Sequence, residues 1–291
     1  MSDRRSTSNA HEVAFESFGV RVLVSTTSET LFERILAFLP PGWQRVDRAT
    51  ARKQFAVVGG DDDDDDDGLY DLHRGDAVFT TGLEGDLALL LLESQMRTYI
   101  ALHARERIFV HAGAVGHRGR AIVIPGFSFS GKTTLVAALV RAGATYLSDE
   151  FAPLDESGLV HPYAKPLSVR DERLVQHDQD VASIGGTSGT EPLPIGLIVA
   201  TSYEPGAQWR PRRLSNGEGV LALLAHTVAA QTRPAEVMRF LRQAVDGIAA
   251  IESARDDAAA LAPLLLEELD RRDRSGQARK SPVHGAGGEP R

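Results

Sequence analysis

The stretch Gly126-Phe127-Ser128-Phe129-Ser130-Gly131-Lys132-Thr133-Thr134 satisfies G-x-x-x-x-G-K-[ST] at every fixed position. Glycines at the two ends of such a loop permit backbone conformations and close approaches that a Cβ forbids, so successive N–H groups can point at phosphate oxygens. The N-terminus of the helix that follows adds partial positive charge. In this arrangement Lys132 reaches the β- and γ-phosphates and the Thr133 hydroxyl ligates Mg²⁺. The run Ala121-Ile122-Val123-Ile124 predicts a strand leading in, and 134–140 predicts a helix leading out. The competing reading is a plain Gly-Ser turn at a helix start; the flanking strand and helix argue against it. The expected ligands are ATP and Mg²⁺.

Three further side chains are candidates for the same chemistry. Asp149 and Glu150 follow a short predicted strand, 145–148, soon after the loop helix. Acids at a strand end beside a phosphate loop can hold Mg²⁺, accept a proton from the attacking oxygen, or do both. His111 lies within an apolar strand, where a histidine is more often a satisfied core residue than a catalytic one. Its predicted hairpin partner, 120–124, runs directly into the loop, which brings His111 to the phosphate end.

Residues 108–154 resemble the catalytic domain of HPr kinase/phosphorylase, within the fold shared with phosphoenolpyruvate carboxykinase. The resemblance rests on His111 fifteen residues before Gly126, on the loop itself, and on Asp149-Glu150 twenty-three residues after Gly126. It implies a P-loop domain with a mixed β-sheet, Asp149 as the base, His111 supporting or orienting it, Lys132 neutralising γ-phosphate charge, and Thr133, Glu150 and Asp149 around Mg²⁺. An imidazolium beside Asp149 would tune its pKa. The family's Asp-Asp pair is Asp-Glu here, and its loop has an acidic and then small interior where this chain has Phe127 to Ser130. Its glycine-rich substrate loop has no good counterpart around Lys165 to Asp171, which argues against HPr as substrate. Lys165 and Arg170 remain candidates for phosphate or substrate. HPr kinases are hexamers, so the resemblance also implies a possible homo-oligomer.

The remaining elements supply the frame. Strands are predicted at 11–15, 18–24, 54–58 and 77–81, and a capped helix at 28–39 stopped by Pro40-Pro41-Gly42. Seven consecutive aspartates, 61–67, predict an exposed loop; a bare acidic run lacks the turned geometry of a Ca²⁺ site. A buried linking helix is predicted at 84–104, and a hairpin within 151–160 turning at Asp155-Glu156-Ser157-Gly158. A long mobile loop is expected at 171–194, and a buried strand at 195–200. Helices at 219–230 and 234–245, a short strand at 247–251 and a last helix at 257–269 complete the reading. The predicted organisation is a disordered start (1–10), a small α/β N-terminal domain (11–104), the catalytic domain (105–270) and a disordered tail (271–291).

The 291 residues are long enough for a full core, and the composition is that of a globular protein. A formal net charge of −8 gives no sign of a nucleic-acid surface. The absence of cysteine excludes disulfides, thiolate catalysis and Cys-bound zinc. Without an apolar stretch of spanning length, the chain is expected in the cytoplasm, with no membrane partner. The function expected is an ATP- and Mg²⁺-dependent kinase acting on a hydroxyl of a peptide, protein or small molecule. The alternative is a nucleotide-binding regulatory module with little or no transfer; carboxykinase chemistry suits so short a chain poorly.

Overall fold

The computed structural model describes residues 11–59, 68–127, 130–170 and 176–280. The acidic run 61–67, the loop residues Ser128 and Phe129, and both chain ends lie outside the described residues.

The first sheet has the order β3-β1-β2-β4-β5-β6: β1 (His11–Ser17), β2 (Val20–Thr26), β3 (Gln44–Arg45), β4 (Lys53–Gly59), β5 (Tyr70–Arg74) and β6 (Ala77–Leu83). Phe18 and Gly19 both have positive φ, 50° and 74°. This fits the two-residue hairpin turns whose twist matches that of the strands, so Phe18 belongs to the turn and not to the strand predicted from 18. Its ring packs on Phe109 and Tyr163, at 5.0 and 5.9 Å between centroids. Helix α1 (Glu29–Ala37) starts where Ser28 accepts from the Leu31 N–H. Strand β5 was not predicted, because Tyr70 and Leu72 are too short an alternation beside the aspartates.

Helix α2 (Gly85–His103) buries Ala88, Leu89, Leu92, Met96 and Ile100 against this sheet. The helix expected to be buried proves two-faced: Leu87 and Leu90 are 45% and 50% exposed. The same core continues onto Phe109, Phe151 and Tyr163, so the first sheet is packed on the second without an intervening polar layer.

The second sheet comprises β7 (Ile108–His117), β8 (Arg120–Pro125), β9 (Thr145–Ser148), β10 (Phe151–Leu154), β11 (Leu159–Val160), β14 (Leu193–Tyr203), β15 (Arg212–Leu214) and β16 (Ala249–Arg255). Its path is β11-β10-β7-β8-β14-β16-β15, and β9 continues the β10 edge along β7. Between β11 and β14 a separate ribbon pairs β12 (Leu167–Arg170) with β13 (Gln176–Gln179). Four helices cover the sheet: α3 (Lys132–Arg141) and α6 (Ala258–Lys280) on one face, α4 (Asn216–Leu224) and α5 (Pro234–Val245) on the other. Along β7 and β8 successive residues therefore face two cores, Val115, Ile122 and Ile124 meeting α3 while Ala114, Ala121 and Val123 face α4 and α5. Burial on both faces explains why these strands read as unbroken apolar runs.

Three expectations are corrected. The segment 171–194 is not a featureless loop. Although 171–175 lie outside the described residues, β13 follows, and the glycines at 185–189 dock on β9, where the Tyr146 N–H donates to the Thr187 carbonyl at 2.8 Å. The predicted strand at 247–251 starts at Ala249 and runs four residues further, to Arg255. The charged segment 271–280, predicted disordered, continues α6, whose Glu268 pairs with Arg271 and Arg272. Such i,i+3 and i,i+4 pairs support a helix.

Gly113 on β7 lies directly under α3: a Cβ there would stand 2.5 Å from Val136 Cγ2. Val136 is stiff at χ1 and cannot swing away. Gly113→Val is expected to cost about 1–3 kcal/mol through overpacking. A thermal melt checks this, and an unchanged Tm would show that α3 does not sit so tightly on β7.

Candidate functional site

Strands β8, β14 and β16 are mutually parallel. Strands β8 and β9 are each antiparallel to β7, and so parallel to one another. The carboxyl ends of all four therefore lie at one end of the sheet, where ligands bind in open α/β sheets. From these ends emerge Gly126, Asp149, Tyr203 and Arg255. In the sheet β7 separates β8 from β9.

Gly131 caps α3 in the left-handed region, with φ of 81°. A Cβ there would lie 2.4 Å from Nη2 of Arg255. Arg255 is 2% exposed. Its Nη2 donates to the Gly131 carbonyl at 2.6 Å and its Nη1 to the Asp256 carbonyl at 3.2 Å, while Nε has no partner among the described residues. Burial pulls its pKa below the ordinary arginine value. Lys132, 7% exposed, donates to the Phe127 carbonyl at 2.7 Å. The Ser130 hydroxyl is buried without a partner among the described residues, and a Cβ on Gly126 would meet it at 2.6 Å. A tight glycine turn at a helix N-terminus, with a buried lysine and an orphaned hydroxyl, fits a phosphate group.

The acids occupy a break in the edge ladder. Between β9 and β10 the pairing with β7 lapses for two residues, and the Ser148 hydroxyl accepts from the N–H groups of Glu150 and Phe151 at 3.1 and 3.0 Å. Asp149 is 4% exposed and accepts three hydrogen bonds: from the Tyr146 hydroxyl at 2.9 Å, the Thr133 hydroxyl at 3.0 Å and the Ser168 N–H at 2.9 Å. Burial, and then the Asp149 charge, push the Tyr146 hydroxyl pKa far up, so it acts as a donor. Glu150 accepts from Arg97 at 2.6 Å. Lys165 Nζ lies 3.7 Å from Asp149 and 3.5 Å from Glu150, and donates to the Ser168 hydroxyl at 2.6 Å. Arg97, on α2, also pairs with Glu93 at 3.1 Å, whose pKa burial raises.

Among the described residues the His111 ring makes its hydrogen bond to the loop and not to Asp149. Its Nδ1 stands 2.8 Å from the Gly126 carbonyl, an acceptor only, so Nδ1–H donates and Nε2 is left as an acceptor. Burial, followed by the Lys132 charge, lowers its pKa to about 4. The imidazolium expected beside Asp149 is therefore a neutral ring that holds the first loop glycine. His226, not anticipated from sequence, lies behind it: its carbonyl accepts from the His111 N–H at 2.7 Å, and its ring meets Phe127 at 4.3 Å. Burial and Lys132 lower its pKa as well.

These groups line one cleft of about 630 Å³, walled by the loop end and α3, by Asp149 and Glu150, by Lys165, Ser168 and Val169, and by Leu90, Leu91, Ser94 and Arg97 of α2. Lys132, Thr133, Thr134, Asp149, Glu150 and His111 thus share a cavity. Arg97 and Ser168, missed from sequence, join them, and Arg255 braces the loop from behind. The Arg170 side chain, like Ser128 and Phe129, lies outside the described residues. Among the described residues no helix is long and apolar enough to cross a membrane.

No family model matches this chain, and no curated protein matches it. Among solved structures it is similar to the Hpr(Ser) kinase/phosphatase from Coxiella burnetii, at 15% identity and a TM-score of 0.32, over 58% of this chain and 98% of that one. The likeness is distant and decides neither substrate nor mechanism.

Because the His111 pKa is depressed from its ordinary value, the unfolded chain binds the proton more readily. Stability then rises with pH between about 4 and about 6.5, and is lost as pH falls through that window. Ring ¹⁵N shifts are expected to report a neutral Nδ1–H tautomer down to about pH 5, and His111→Asn should flatten the acid limb of a stability profile. Titration near 6.5 would sink this assignment. Arg255→Lys, which keeps charge but loses the fork, is expected to lower the Tm in a thermal melt; an unchanged Tm would remove Arg255 from the loop's support.

Proposed function

We propose that residues 105–270 form a P-loop nucleotide domain and that the protein is a Mg²⁺-dependent kinase, transferring the γ-phosphoryl group of ATP to a hydroxyl. The observation that carries the reading is the convergence of the Thr133 hydroxyl and the Asp149 carboxylate, 3.0 Å apart, beside the loop that ends in Lys132. No cluster of three His, Asp or Glu side chains suited to a metal occurs among the described residues. A Mg²⁺ ion arriving with a nucleotide would need none, because water and nucleotide supply most of its ligands. Thr133 and Asp149 would hold it, with Glu150 at its water shell.

In the transfer, the acceptor oxygen bonds to the γ-phosphorus as the bond to the bridging oxygen breaks, and the acceptor's proton passes to Asp149. Lys132, released from the Phe127 carbonyl, offsets charge on the γ-phosphoryl oxygens. Arg97 and Lys165 hold Glu150, while Tyr146 and Ser168 fix the Asp149 carboxylate. Neutral His111 keeps Gly126 turned inward. The second reading, a regulatory nucleotide module, draws support from the Arg97–Glu150 contact, which ties the site to a helix packed on the first sheet.

With γ-labelled ATP and Mg²⁺, wild type is expected to label a hydroxyl acceptor from a pool of serine peptides and metabolites. Asp149→Asn should lose about 10²–10⁴-fold in rate while still binding nucleotide, and Lys132→Ala should lose transfer as well. Nucleotide bound by wild type and Asp149→Asn alike, with no acceptor labelled, would leave the regulatory module in its place.

A further inference from the structure

The α2 wall of the cleft is unusual for a helix that anchors a core. Leu90 or Leu91, Ser94 and Arg97 recur at helical spacing, forming a stripe that begins at Leu90, half exposed, and ends at the arginine holding Glu150. The facing wall is α3, which leaves the site at Thr133 and brings Arg141 into the same cleft. Both helices pass the acids: Arg97, six residues before the end of α2, touches Glu150, and Thr133, in the first turn of α3, touches Asp149. At a rise of 1.5 Å per residue, Leu90 stands roughly 10 Å from Arg97 along α2, and Arg141 roughly 12 Å from Thr133 along α3.

The charges in this groove are not balanced. Its cations are Arg97, Lys132, Arg141 and Lys165, and its carboxylates Asp149 and Glu150. Arg97 and Lys165 are spent on those carboxylates, and Lys132 belongs to the phosphate loop. Arg141 is exposed and makes no side-chain hydrogen bond or ion pair among the described residues. The groove thus offers, at similar depth, an apolar wall and an uncompensated cation, in continuity with the proposed transfer site.

Resting on the kinase reading, we infer that the groove between α2 and α3 holds the acceptor as an extended peptide, whose hydroxyl residue sits at Asp149, with an apolar residue on Leu90 and an acidic residue on Arg141. An extended chain advances about 3.3 Å per residue, so roughly 10–12 Å is three to four residues. Neighbouring side chains of such a chain point to opposite faces. The third residue from the acceptor then meets α2 and the fourth meets α3.

The test uses the full chain with Mg²⁺ and a non-hydrolysable ATP analogue, and reads anisotropy of fluorescein-labelled serine peptides. These carry Leu three residues and Glu four residues from the serine, on either side, with Gln replacing Leu and Lys replacing Glu as comparisons. Leu is expected to tighten binding about tenfold over Gln, and Glu about fivefold over Lys. Arg141→Glu should reverse the Glu-over-Lys preference, and Leu90→Gln should abolish the Leu preference. A misfolded variant can lose binding but cannot reverse a charge preference. Equal binding of all peptides, or a preference that Arg141→Glu leaves in place, overturns the inference. Label transfer from ATP, run on the same peptides, separates the two readings. Transfer without peptide preference removes the groove and keeps the kinase; preference and reversal without transfer keep the groove and remove the kinase.

Discussion

A carboxylate taken out of water must be surrounded by donors, and Asp149 imposes that condition on the whole site. At 4% exposure it draws on three separate pieces of chain: Tyr146 on β9, Thr133 on α3, and the stretch 165–168, which brings the Ser168 N–H and the Lys165 ammonium. An unmatched charge at that depth costs several kcal/mol, so these pieces must arrive together or not at all. The position of the β12-β13 ribbon, otherwise a marginal two-stranded element, follows from this need. The same condition fixes the relation between the glycine loop and the acids, because Thr133 belongs to one and bonds to the other.

The second organising fact is the shared core beneath the two sheets. Phe18, in a turn of the first sheet, lies against Phe109 of the second and against Tyr163 in the stretch between β11 and β12, and Phe151 completes the cluster. Phe151 follows Glu150 directly, and Arg97 on α2 reaches Glu150 from the other side. A shift of the first sheet would therefore be felt at Glu150 through both a ring cluster and an ion pair. Bistability is not needed for such coupling to be felt, since a packed core transmits displacement.

What could be read from the sequence were relations held within a short stretch of chain. The loop from Gly126 to Thr134 showed itself through fixed spacing between a strand and a helix, and His111, Asp149 and Glu150 through their distance from it. The apolar runs of β7, β8 and β14 were legible because burial on both faces leaves few polar interruptions, His111 in β7 among them. Relations across the fold left no such trace. Arg97 lies in a leucine-rich helix with nothing to mark it, Ser168 contributes a backbone N–H that any residue would supply, and Arg255 ends a strand that turned out longer than its apolar part. The insertion of β7 between β8 and β9 and the two-faced character of α2 were equally hidden, because both depend on which neighbour each surface meets. The charge of His111 is hidden for the same reason: its spacing brings it to the site, but burial and the Gly126 carbonyl decide its protonation.

The contact between Arg255 and Gly131 spans 124 residues of chain. On a ribosome adding about 5–20 residues per second, the loop emerges roughly 6–25 s before the guanidinium that braces it. During that interval the glycine turn has its lysine and its helix, whose Leu135 N–H donates to the Gly131 carbonyl at 3.1 Å, but not the guanidinium that gives this carbonyl its second donor. Strand β16 pairs with β14, itself the neighbour of β8, so the brace arrives only when the parallel part of the sheet is complete. Readiness of the loop is thus a late event in the life of the nascent chain, and a polypeptide halted before β16 would carry the glycine motif without the finished pocket.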